Sequence, residues 1–224
     1  MGLVRESADK FKKTLEKEKS LSEEESISID NNNLGIALAL DGNVDESINF
    51  YKERLAKYRN DKSIDRLNLL CGLGYVFLHG SKFKDAIETL NEAYKLACDI
   101  QATHASFSIL GNLMTAYLKE ARYVDGLDIS KELLSLEKRF GVIRDVAFAW
   151  LRQQSICLIL GMEEAAHECF VNGIQKCMEI RETELMGWFY LMEGHREREF
   201  GSMDMAKKYF NDAEEYKKKG LLQE

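Results

Sequence analysis

The residue types able to do chemistry are present in this chain, but their spacing argues against a reaction centre. The soft and nucleophilic groups are Cys71, Cys98, Cys157, Cys169 and Cys177, together with four histidines. His167 and Cys169 stand two residues apart, and Cys177 follows on the same predicted helix. Metal ligands on one helix converge when three or four residues apart; two apart they point to different sides. His79 and His104 lie in stretches without metal-ligand spacing. Core thiols and surface imidazoles are expected, and no metal.

Other motifs fail for similar reasons. Gly72-Leu73-Gly74 falls within a helical pattern rather than after a strand, and no Lys-Ser/Thr follows at phosphate-loop spacing. There is no G-x-S-x-G and no cysteine in a protease-like context. Glu163-Glu164 resembles an acid pair, but it sits at a predicted helix start, where carboxylates complement the helix dipole. The expectation is a protein that is not an enzyme and carries no cofactor.

Composition narrows the class further. A net charge of −7 and a pI near 5.3 argue against nucleic acid as a partner. The densest basic run, Lys217-Lys218-Lys219, falls at a predicted helix C-terminus, where cations complement the dipole. Five cysteines, an odd number without C-x-x-C spacing, suit free thiols in a reducing compartment. The first residues, MGLVRESADKFKK, lack the apolar core of a secretory signal, and no apolar run approaches a membrane span. A cytoplasmic protein without a membrane partner is expected.

The elements that must position any site are helices. No period-two alternation appears, and apolar residues recur at helical spacing throughout. The chain contains no proline, so helices run to their natural ends and turns fall to Gly, Asn, Asp and Ser. Asn31–Leu55 holds two amphipathic segments around Asp41-Gly42-Asn43, and this arrangement repeats. The turn-plus-helix half begins at Gly42, Ser81, Ala121, Gly161 and Gly201, intervals of 39, 40, 40 and 40 residues. A further half-copy fits from Gly2. Five positions into each full half lies a small residue: Ser47, Ala86, Gly126, Ala166, Ala206. Four residues later come Tyr51, Leu90, Ser130, Phe170 and Phe210, in the i, i+4 relation of a notch beside a knob. The preceding helices carry Leu34, Leu73, Leu113, Gln153 and Glu193 in register, followed by Gly35, Gly74, Met114, Gln154 and Gly194.

This pattern resembles the tetratricopeptide repeat family, whose units read W-x₂-L-G-x₂-Y, A-x₃-F and P over about 34 residues. Leu34-Gly35 and Leu73-Gly74 match the L-G pair, Trp150 the leading Trp, and Ala166 with Phe170 the A-x₃-F. The longer period and the missing terminal proline are similar to the long-repeat subclass of kinesin light chain, the LGN/Pins adaptors and maltose-regulator-like modules. The resemblance implies an all-α, right-handed superhelical solenoid of antiparallel helix pairs across 1–224. Residues 1–27 would be a leading half-repeat or capping helix with an acidic connector. Repeats would follow at 28–66, 67–106, 107–146, 147–186 and 187–224, the last a cap exposing Glu193 and Glu197 in place of core residues. A chain that opens on half a unit suggests a segment of a longer array, or a first helix that serves as a cap.

The family binds extended peptides or partner helices on the concave face lined by the first helix of each pair. Carried over by position, that face comprises Asn33, Tyr75, Asn112, Thr115, Arg152, Ser155, Leu158, Trp188 and Met192. Asn33 and Asn112 could bond a ligand backbone, since an amide both donates and accepts. Arg152 suits a partner carboxylate. Trp188 lies toward the groove by template, although its run is apolar all round and also fits a core. The resemblance thus implies a non-catalytic protein- or peptide-binding scaffold, with end repeats that offer a route to a homodimer. The alternative is a ligand-sensing regulatory segment of a larger signalling or transcription-control protein.

Overall fold

The computed structural model describes residues 24–59, 61–140 and 143–221. Among them are ten α-helices and no strand: α1 (Glu24–Leu40), α2 (Val44–Leu55), α3 (Ile64–His79), α4 (Phe83–Asp99), α5 (Thr103–Lys119), α6 (Tyr123–Phe140), α7 (Ile143–Ile159), α8 (Glu163–Ile180), α9 (Thr183–Phe200) and α10 (Met203–Leu221). A 3₁₀ turn, Ala56–Tyr58, extends α2. Odd-numbered helices are the first of each pair and even-numbered the second, giving an all-α repeat array. The proposed half-copy from Gly2 lies outside the described residues. Of the acidic connector, Glu24 onward forms the first turns of α1. The chain divides between Ala116 and Tyr117 into two compact units.

Four of the five helix pairs close by the same device. The backbone N–H of Asn43, Lys82, Arg122 and Met162 donates to the carbonyl five residues earlier, at 2.8–3.0 Å. This is the Schellman closure, which needs a left-handed residue just past the helix. Gly42 (φ 91°), Ser81 (56°), Ala121 (55°) and Gly161 (69°) occupy it. The turns between pairs use Gln101 (φ 59°) and Arg181 (57°) in the same way. The expectation that Gly, Asn, Asp and Ser make these turns therefore holds only in part. Ala121, Gln101 and Arg181 are held left-handed by the closing hydrogen bond of the next backbone N–H, against a local cost of about 1 kcal/mol.

In unit 1 the notches and knobs fit as spaced. Ser47 is fully buried and its Oγ donates to Gly35 O at 2.6 Å, so α1 and α2 meet backbone to side chain. Tyr51 fills the notch at Gly35, and its hydroxyl donates to Asn32 O at 2.7 Å. Gly72 of α3 lies against the same tyrosine, which therefore ties three helices. In the next pair a Cβ at Gly74 would stand 2.5 Å from Leu90. α4 buries Ala86, Ile87, Leu90, Ala93, Leu96 and Ala97 on one stripe and exposes Lys84, Asp85, Glu88 and Glu92. That pattern makes it helical and fixes its inward face. Full burial of Leu90 alone contributes about 2 kcal/mol.

Unit 2 has an apolar core of Ala147, Phe170, Ile174, Cys177, Leu185, Met186 and Phe189, with Trp150 packed at its margin. The glycine–aromatic register recurs in the last pair, where a Cβ at Gly194 would lie 2.6 Å from Phe210. One expectation is overturned. Glu193 does not expose a polar capping surface; it is fully buried. Its Oε1 accepts from Arg196 Nε at 2.7 Å and lies 2.7 Å from His167 Nδ1, while its Oε2 accepts from Gln154 Nε2 at 3.3 Å. Arg196, also buried, donates to Glu163 Oε1 at 2.8 Å and pairs with Glu197, which is itself largely covered. A buried carboxylate is tolerated because an arginine one turn away neutralises it. The solvated face of the last pair belongs to α10, through Lys207, Lys208, Asn211, Glu214, Glu215 and Lys218.

Candidate partner-binding faces

The expected site residues lie on first helices, four in unit 1 and five in unit 2. In unit 1, Asn33 is exposed on α1 and Asn112 half-buried on α5. Tyr75 on α3 is exposed and its ring stacks on His79 one turn on, with centroids 6.5 Å apart. Thr115 Oγ1 donates to Gly111 O of its own helix at 3.0 Å, which leaves the hydroxyl only an acceptor role toward a partner.

In unit 2 the structure brings some of these residues together. Ser155 on α7 lies 3.8 Å from the Met192 sulfur on α9, and its hydroxyl donates to Leu151 O at 3.1 Å. Met192 stands one turn from Trp188, which is 41% exposed and carries Lys217 Nζ 4.4 Å above its ring. The core reading of Trp188 is thereby corrected. Its apolar run did not show which side the ring takes, and the adjacent Phe189 occupies the core. Leu158 is not an open surface residue, because it packs against Cys157, Ala166 and Cys169.

Arg152 is the most informative member. Its guanidinium lies 5.7 Å from the Phe148 ring centroid, with Arg144 5.8 Å away on the same ring. Arg144 pairs with Glu182 at 3.2 Å. No carboxylate or carbonyl among the described residues accepts from Arg152, and Asp145 acts on it only at longer range. Burial lowers its basicity, with Asp145 opposing. A partly buried cation that rests on an aromatic ring attracts an incoming carboxylate.

Sequence reasoning missed Phe148 beneath Arg152 and the set Gln154–Glu193–Arg196–His167. The signals were there: an aromatic one turn before an arginine, and polar residues in apolar register. Chemistry at sulfur is disfavoured at Cys71, Cys169 and Cys177. Burial pushes the Cys71 and Cys177 thiols up to about 12. The Cys157 hydrogen bond and burial push Cys169 up as well. Such thiols stay protonated and unreactive. No group of three or more metal-ligating side chains occurs among the described residues. No helix described is long and apolar enough to cross a membrane.

Comparison with known proteins places these faces in context. Residues 25–99 match the family model described as tetratricopeptide repeat. No curated protein sequence matches the chain. Among solved structures, BtubC (BKLC) from P. vanneervenii is similar at TM-score 0.83 and 11% identity, covering 95% of this chain and 90% of that one. The nearly identical repeats of a putative kinesin light chain from Podosopora anserina give TM-score 0.71 and 11% identity, covering 84% and 94%. A Rap protein complexed with competence and sporulation factor gives TM-score 0.70 and 13% identity, covering 97% and 70%. At these identities the likeness is one of fold.

Proposed function

We propose that this chain, a tetratricopeptide-repeat protein, is a scaffold that binds a protein or peptide partner through the exposed faces of its first helices, without catalysis of its own. The observation that carries the reading is Arg152, whose guanidinium is half-buried on Phe148 and has no acceptor among the described residues. A partner carboxylate there would complete an ion pair in a partly desolvated setting, where charge-assisted hydrogen bonds are strong. Ser155, Met192 and Trp188 offer polar, adaptable and aromatic contacts nearby. In unit 1, Asn33 and Asn112 would bond the partner's backbone. Because helices carry these groups, the receptor orders little on binding. Five free cysteines suit a reducing compartment, the cytoplasm.

The test is affinity capture with the full chain as bait, comparing wild type with Asn112→Ala combined with Arg152→Ala. Specific partners should be lost from the double variant at unchanged thermal stability. Partners retained by it, and by further first-helix variants, would contradict the proposal. The fold shared with a Rap protein complexed with competence and sporulation factor favours a second reading, a ligand-sensing segment. That reading predicts a change in hydrogen exchange outside the binding face when a captured peptide is added.

A further inference from the structure

Apolar residues are more numerous at the turns of unit 2 than at those of unit 1, where Leu40 is exposed beside the first turn. The turn between α7 and α8 presents Leu160 (38% exposed) and Met162 (41%), and that between α9 and α10 presents Phe200 (41%) and Met203 (57%). The matching turns of unit 1 read Asp41-Gly42-Asn43 and Gly80-Ser81-Lys82. Single exposed apolar residues are ordinary, whereas a contiguous group marks an interaction surface.

The two apolar turns are linked through the side chains between them. Arg196 Nη1 donates to Glu163 Oε1 at 2.8 Å, the same guanidinium pairs with Glu197, and Glu197 Oε2 accepts from Ser202 N at 3.0 Å. The residue after Met162 and the residue before Met203 are thus joined by one chain of hydrogen bonds. The buried end of that chain is Glu193, bonded to Arg196 at 2.7 Å. The polar network inside unit 2 therefore holds its apolar outer edge in place.

We propose that this edge docks a cationic amphipathic helix of a partner protein. The helix would lay apolar residues on Leu160, Met162, Phe200 and Met203 and set lysines or arginines opposite Glu164, Glu199 and Asp204. Its shape follows from spacing. The Gln154–Glu193 hydrogen bond makes α7 and α9 neighbours; neighbouring helices pack about 8–10 Å apart. Two turns of helix rise about 10.8 Å, so side chains at i and i+7 reach both apolar turns. Charge selects the occupant. Stretches 159–168 and 195–205 hold six carboxylates against Arg196 and Arg198, a difference of −4, with Lys207 and Lys208 following. Those carboxylates repel nucleic acid, an anionic membrane and a second copy of this chain, itself at −7. Methionine side chains adapt to varied apolar partners.

The experiment titrates the full chain into a labelled synthetic peptide of leucines and lysines patterned as an amphipathic helix, with a leucine–glutamate peptide as control. Fluorescence anisotropy should show saturable binding of the lysine peptide that weakens with salt. Phe200→Ser combined with Met203→Ser should weaken it at least about tenfold, as should Leu160→Ser combined with Met162→Ser. Asn112→Ala with Arg152→Ala should leave it unchanged. All four turn residues are exposed, so circular dichroism melting should match wild type in both variants. Absence of saturable binding, equal affinity in the turn variants, or equal binding of the glutamate peptide would overturn the proposal. So would loss, in those variants, of a dimer detected by sedimentation or of binding to phosphatidylserine vesicles.

Discussion

The two units solve the same packing problem with opposite distributions of polarity. Unit 1 fills its helix notches with Tyr51 and Leu90 and, apart from the exposed Leu40, carries polar residues at its turns. Unit 2 buries Gln154, Glu193 and Arg196 and turns Leu160, Met162, Phe200 and Met203 outward. Apolar packing fixes unit 1 by shape, and removal of a knob leaves a void. Unit 2 adds to its apolar core a buried ionic network, in which removal of one partner leaves a charge. The repeat template tolerates both because it specifies where helices approach rather than the chemistry that fills the gap.

The comparison breaks first at its apolar end. Tyr51→Ala should cost about 3–5 kcal/mol, the range for deleting a fully buried aromatic, and denaturant unfolding measures it. Tyr51→Phe, which loses only the bond to Asn32, should cost about 1 kcal/mol. At the ionic end, Arg196→Ala should cost about 3 kcal/mol by leaving Glu193 buried without its cation. Glu193→Leu made together with Arg196→Leu should recover part of that loss, because apolar replacement of a whole buried pair is often neutral. A double variant no more stable than Arg196→Ala would show that the network does more than neutralise charge.

Turn substitutions sharpen the comparison with smaller effects. Ala121→Gly should stabilise by about 0.5–1 kcal/mol, since glycine accepts the left-handed turn without the Cβ clash. The reverse change, Gly161→Ala, should destabilise by about 1 kcal/mol. The smallest effect concerns pH. Burial first, then the Arg198 charge, lowers the His195 pKa, with Glu199 opposing. The unfolded chain then binds the proton more readily than the folded one. Stability from this group is present above the ordinary histidine range and falls as pH drops toward the lowered value. Melting curves between pH 7 and 5 should show a slope that His195→Gln reduces.

Much of the fold was legible because it rests on local regularities. The spacing of Gly35 to Tyr51 and Gly74 to Leu90 repeats, and helical periodicity needs no tertiary knowledge. The left-handed turns at Ala121, Gln101 and Arg181 were not legible, because the closing backbone hydrogen bonds override the intrinsic preference of those residues. Glu193 misled for a related reason. Its register marked it as inward, its charge suggested a solvated cap, and only the positions of Arg196 and His167 decide between the two. The exposure of Asn33 was readable but the cover over Leu158 was not, since its position on α7 gave no sign that α8 residues would pack on it. Arg152 was visible as a candidate; Phe148 and the lack of an acceptor among the described residues give it physical content.

The most direct measurement is hydrogen–deuterium exchange of the full chain with and without a partner obtained by affinity capture. Binding through the first-helix faces predicts added protection in peptides covering α7 and α9, around Arg152, Ser155, Trp188 and Met192, and its loss with Arg152→Ala. Protection confined to the second helices, with α7 and α9 unchanged, would contradict the account.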